Sequence, residues 1–141
     1  MSDRRPIVLL VEDSAEDVLL TQEAFEAQDF DAKLQVVDDG EKAMDWLRSA
    51  QSHPDLVLLD LNLPRKDGRE VLKEIKDDPD LSDIPVVVLT TSAAEEDIRE
   101  AYCSHVNSYV RKPVTFDKLV EAVRHLGSYW FGLVTLPSTA E

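Results

Sequence analysis

Leu56-Val57-Leu58-Leu59-Asp60-Leu61-Asn62-Leu63-Pro64 is the stretch on which the reading of the chain turns. An unbroken apolar run with no polar alternation predicts a strand buried on both faces, as in the middle of a parallel sheet. The run then meets a carboxylate. Placing Asp60 inside such a strand is costly, so the strand is expected to stop there, at the carboxyl edge where open α/β sheets bind their ligands. Asn62, Pro64, Asp67 and Gly68 predict that a loop follows.

Two further runs of the same kind lie on either side. Ile7-Val8-Leu9-Leu10-Val11 ends in the adjacent acids Glu12 and Asp13, and Val86-Val87-Val88-Leu89 ends in Thr90-Thr91-Ser92. Leu34 to Val37 and Ser108-Tyr109-Val110 are shorter strand candidates, the last ending at Arg111-Lys112-Pro113. Helical spacing fills the gaps. Ser14 with Asp17 opens a helix through about Gln28, with Val18, Leu19, Ala24 and Phe25 on its apolar face. After the turn Asp38-Asp39-Gly40, residues Ala43, Met44 and Leu47 mark a second helix. Val71, Leu72 and Ile75 mark a third, which Asp78-Pro79 must end because the residue before proline is pushed out of the helical region. A short acidic helix is expected from Ala94 to about Tyr102, and a last one after Thr115 with Phe116, Leu119, Val120 and Val123 on one face. Strands alternating with helices in this way predict a doubly wound α/β fold. Its five-stranded parallel sheet is expected to have right-handed crossovers and helices on both faces.

The bulk composition bounds the function. A chain of 141 residues with 43% hydrophobic and 31% charged residues is expected to form one globular domain, and no linker or repeat marks a second. A net charge of −14 argues against nucleic-acid binding and favours a cation site. Cys103 is the lone cysteine, which excludes an intramolecular disulfide and fits a reducing compartment. The apolar run after Arg4-Arg5-Pro6 is too short for a signal peptide or membrane span, so a cytoplasmic location is expected. With four glycines in the chain and no glycine-rich loop after a strand, nucleotide binding is disfavoured.

Under this fold the strand ends bring together Glu12, Asp13, Asp60, Thr90 and Lys112. Carboxylates at close range repel one another unless a cation neutralises them, and an all-oxygen donor set suits a hard divalent ion such as Mg²⁺. A hydroxyl (Thr90) and an ammonium (Lys112) on the same edge are the donors needed by the other oxygens of a phosphoryl group. Asp60 then becomes a candidate nucleophile, since a carboxylate can form an aspartyl phosphate.

Together these residues resemble the receiver domains of two-component response regulators, over roughly residues 6–126, which implies a flavodoxin-like sheet with strand order 2-1-3-4-5. Glu12-Asp13 is similar to that family's acidic pair, Asp60 to its phosphoacceptor, Thr90 to its switch hydroxyl, Tyr109 to its switch aromatic, and Lys112-Pro113 to its lysine with a cis proline. The resemblance implies that Asp13 and Asp60 bind the metal directly, Asn62 through its backbone carbonyl and Glu12 through a water. It also implies that a sensor histidine kinase is the partner, and that the domain catalyses its own phosphorylation and hydrolysis without being an enzyme for a free substrate. The stretch from His105 to Tyr109 and the ending from Tyr129 to Pro137 resemble small stand-alone regulators that serve phytochrome-type kinases. Residues 127–141 then form an apolar extension. Its Tyr129, Trp130, Phe131, Leu133, Val134 and Leu136 are expected to pack in a homodimer with the last helix and sheet edge, the alternative being that they fold back over the last helix, and signalling by contact rather than by a DNA-binding output domain is expected.

Two rivals remain on the residues alone. A phosphatase of the haloacid dehalogenase type also uses a strand-end aspartate, hydroxyl, lysine and Mg²⁺, but usually has a second aspartate where Asn62 stands. A phosphorylation-independent interaction module on the same fold is the other.

Overall fold

The computed structural model describes residues 6–27, 32–49, 53–90, 108–111 and 116–127. Five strands, β1 (Ile7–Val11), β2 (Lys33–Val37), β3 (Leu56–Leu59), β4 (Val86–Thr90) and β5 (Ser108–Arg111), form one sheet. All neighbours pair in parallel, in the order β2-β1-β3-β4-β5. Four helices are described: α1 (Ala15–Glu26), α2 (Gly40–Ser49), α3 (Gly68–Asp77) and α4 (Phe116–Gly127). The helix expected from Ala94 to Tyr102 lies outside the described residues, as does the extension beyond residue 127.

Alternation along the strands splits the core in two. Leu9, Val11, Val57, Leu59, Val86 and Val88 face Ala43, Met44 and Leu47 of α2 and Val71, Leu72 and Ile75 of α3. Val8, Leu10, Leu56, Leu58 and Val87 face Ala24 and Phe25 of α1 and Val123 of α4. Covering both faces explains why β1, β3 and β4 read as unbroken apolar runs rather than as alternating ones. β2 stands at the edge and is partly buried throughout except at exposed Lys33, hence its weaker signal.

Local sequence sets the ends. Ser14 caps α1, its hydroxyl accepting from the Asp17 amide at 3.2 Å. Asp78, extended before Pro79, stops α3 as expected. Three readings need correction. The apolar stripe of α1 does not include Leu19, which is 55% exposed. The buried position is Thr21, a polar residue that helical spacing of apolar side chains could not flag; its hydroxyl donates to the Asp17 carbonyl at 2.8 Å. Gly40 is not a turn residue but the first of α2, behind Asp39, whose carboxylate accepts from the Lys42 amide at 2.7 Å. Likewise Gly68 opens α3 and Asp67 caps it by accepting from the Arg69 amide at 3.1 Å. Both glycines are forced by close approach. A Cβ on Gly40 would sit 2.0 Å from the Lys66 carbonyl oxygen, and one on Gly68 2.2 Å from the Asp60 carbonyl oxygen.

Among the described residues, no helix is long and apolar enough to cross a membrane.

Candidate functional site

The register puts the acids on one level. Val11 pairs with Leu59, so Glu12 and Asp60 both stand one residue past the ends of adjacent strands. The sheet ladder still holds them there. The Glu12 amide donates to the Val37 carbonyl at 3.0 Å, and the Asp60 amide to the Val11 carbonyl at 3.1 Å. Asp60 is thus at the edge yet only 8% exposed, and Glu12 only 2%. Asp13, next to them, is exposed. One carboxylate oxygen from each of Glu12, Asp13 and Asp60 lies within 4.8 Å of the other two.

Two contacts orient these carboxylates. The Ser14 amide donates to Oε2 of Glu12 at 3.3 Å, tying that acid to the start of α1. The Asn62 amide donates to Oδ1 of Asp60 at 3.0 Å. Leu61 is buried in the α2–α3 side of the core and Leu63 packs against it, so the intervening Asn62 is turned out to solvent. The Leu-Asn-Leu alternation after Asp60 is therefore an anchored loop. The Gly68 amide closes it by donating to the Leu61 carbonyl at 3.0 Å.

The rest of the loop is gripped from the α2–α3 side. Arg65 has φ 65°, a left-handed backbone that costs a side-chain-bearing residue roughly 1–2 kcal/mol. Its Nε lies 3.4 Å from Oδ2 of Asp39, whose side chain is 5% exposed. Lys66 donates to Glu74 of α3, and Arg48 of α2 reaches the same carboxylate at 3.2 Å. That hydrogen bond raises Lys66 above the ordinary lysine value and holds Glu74 below the ordinary glutamate value. Sequence reading missed this grip. An Asp-Gly pair just ahead of a helical pattern was its one visible sign.

Thr90 is the last residue of β4 and pairs with Arg111, the last of β5; Tyr109 pairs with Val88. The backbones of Thr90 and Arg111 thus reach the same edge of the sheet as Asp60, with Tyr109 two residues back from the end of β5. Lys112 and Pro113 follow Arg111 in the chain and lie outside the described residues.

Three carboxylates packed this closely fit a divalent cation, which removes their mutual repulsion. Glu12, Asp13 and Asp60 are the groups available to hold it among the described residues.

Comparison with known proteins agrees with this geometry. The family model for the response regulator receiver domain matches residues 8–124. The response regulator Rcp1 of Synechocystis sp. is 47% identical over 137 residues, covering 94% of this chain and 93% of that protein. A probable methanogenesis regulatory protein, FilR2 of Methanothrix harundinacea, is 45% identical over 95% of this chain and 89% of its own length. Among solved structures, the phosphorylated cyanobacterial phytochrome response regulator RcpA superposes with a TM-score of 0.90 at 45% identity, covering 95% of this chain and 99% of that one. The Mn²⁺-bound form of Rcp1 superposes with a TM-score of 0.87, covering 94% of this chain and 99% of that one. The chain belongs to the response regulator receiver family, the phosphoacceptor modules of two-component signalling.

Proposed function

We propose that Asp60 accepts a phosphoryl group from the phosphohistidine of a phytochrome-type sensor histidine kinase. The clustering of Glu12, Asp13 and Asp60 within 4.8 Å at the carboxyl edge of the sheet carries this reading. Similarity to RcpA, solved in phosphorylated form as a phytochrome response regulator, favours that class of kinase. A carboxylate oxygen of Asp60 attacks phosphorus, the P–N bond to the imidazole breaks, and its electron pair stays on the histidine nitrogen. The Asn62 amide keeps the carboxylate facing the edge. Asp13, Asp60 and the Asn62 backbone carbonyl would hold Mg²⁺, with Glu12 reaching it through a water, and the ion would there supply charge neutralisation. Lys112 pairs with a phosphoryl oxygen, and Thr90 donates its hydroxyl to another. Tyr109 follows Thr90 inward and alters the neighbouring surface. The same groups serve the slow hydrolysis that resets Asp60, so the protein is a self-limiting switch and not an enzyme for a free substrate.

The chain acts in the cytoplasm as one receiver domain. Residues 127–141, the last helix and the sheet edge join two copies, and output passes by protein contact. Radiolabelled transfer from purified phytochrome-type kinases to wild type and to Asp60→Asn tests the central reading. Labelling of wild type and none of a folded Asp60→Asn is the expected result; equal labelling overturns it. Trimming after Leu126 is expected to lower the mass seen by light scattering, and an unchanged mass overturns the dimer.

A further inference from the structure

The start of α2 touches the loop after Asp60 at two consecutive residues, in two chemically different ways. Gly40 lies so close to the Lys66 peptide that a Cβ there would fall 2.0 Å from the carbonyl oxygen and 2.8 Å from the carbonyl carbon. One residue before each, the buried carboxylate of Asp39 receives the guanidinium of Arg65 at 3.4 Å. Asp39 is fixed by its own helix, since its Oδ1 accepts from the Lys42 amide at 2.7 Å and its carbonyl from the Ala43 amide at 3.1 Å. Arg65 carries the one left-handed backbone among the described non-glycine residues. The chain therefore reverses at a residue whose side chain is tied to a rigid helix end.

We infer that Asp39 and Arg65 are positioning residues for the phosphoacceptor site: the helix α2 start acts as a template that sets the path of residues 62–66, and with it the Asn62 amide on Asp60. The inference rests on the proposed use of Asp60 and Asn62, and gives α2 a part in it. Neither residue is one of the three acids of the cluster. They act through the backbone of Leu63, Pro64 and Lys66, while Leu61 and Leu63 hold the other end of the segment in the core.

The pair can be cut without removing what surrounds it. Asp39→Asn keeps a side-chain oxygen for the Lys42 amide but loses the charge. Arg65→Gly keeps the left-handed backbone accessible but loses the guanidinium. In the full-length protein, each is expected to weaken Mg²⁺ binding, measured by calorimetry, by roughly three- to fivefold. The metal-free melting temperature should stay close to that of wild type. Arg65→Lys should restore affinity to within about twofold, and the double variant should be no weaker than either single one because both cut the same contact. Amide hydrogen exchange of metal-free protein gives a second readout. The Asn62 and Gly68 amides should exchange faster in both variants. Unchanged exchange at Asn62 and Gly68, or effects of the two substitutions that add, would overturn the positioning role. Wild type that binds no Mg²⁺ overturns the proposed function instead, and the exchange measurement still decides the template.

Discussion

The backbone amide of Asn62 donates to Oδ1 of Asp60 at 3.0 Å, so the residue two places along the chain orients the proposed phosphoacceptor through its main chain. The Asn62 side chain, exposed to solvent, is not needed for that bond. Asn62→Ala is therefore expected to keep Mg²⁺ affinity within about twofold of wild type, whereas Asp13→Asn, which removes a charge from the cluster, lowers it at least about tenfold, or ~1.4 kcal/mol. Calorimetric titration of both variants checks the contrast, and a larger loss for Asn62→Ala contradicts it.

Gly68 packs on the carbonyl of Asp60 itself. An added methyl would meet that oxygen at 2.2 Å and the Leu61 Cα at 2.6 Å, both of them backbone and unable to swing aside. Gly68→Ala should cost about 2–4 kcal/mol in urea unfolding and slow labelling of Asp60 as well. A variant as stable as wild type would show that α3 can slide outward at no cost.

On α1, burial and apolarity part company. Leu19 is 55% exposed and Phe25 is buried against Val8, Leu10 and their neighbours. Leu19→Ser should leave stability within about 0.5 kcal/mol, while Phe25→Ala should cost about 3–5 kcal/mol. Chemical denaturation of the two variants distinguishes this placement from the stripe expected on sequence alone.

The tether from Lys66 to Glu74 gives a defined pH response. Its hydrogen bond, aided by Arg48, holds Glu74 below 4.5, so the stability it adds is complete above that value and is lost as pH falls through the lowered one. The same bond raises Lys66 above 10.5, so that contribution is complete below 10.5 and is lost only as pH rises past the raised value. Glu74→Gln should lower the melting temperature by roughly 2–4 °C near neutral pH, and the gap from wild type should close as the pH falls below 4.5 and through the lowered Glu74 value. A gap that persists there would mean that Glu74 acts through packing rather than charge.

The fold was legible because β1, β3 and β4 are covered on both faces and so announce themselves as unbroken apolar runs ending in Glu12, Asp60 and Thr90. Strand-end chemistry in a parallel sheet converges by topology, and this is why Glu12, Asp13 and Asp60 could be assembled from a list of residues before any distance was known. What escaped notice depends on contacts between segments distant in sequence. Gly40 reads as a turn residue because its reason for being glycine is the Lys66 carbonyl, and Asp39 reads as part of the same turn because its partner Arg65 is in another loop. Thr21 was hidden for a local reason: its hydroxyl bonds back to Asp17, so a polar side chain takes a place in an apolar layer.

The sheet also acts as a partition wall. Phe25 and Met44 belong to separate chambers on its two sides, with no side chain among the described residues common to both clusters. A void opened in one chamber cannot be refilled from the other, so the penalties of emptying both should sum to within about 0.5 kcal/mol. Each chamber is therefore free to exchange its filling residues without consulting the other, provided the carboxylates at the rim of the wall stay where they are.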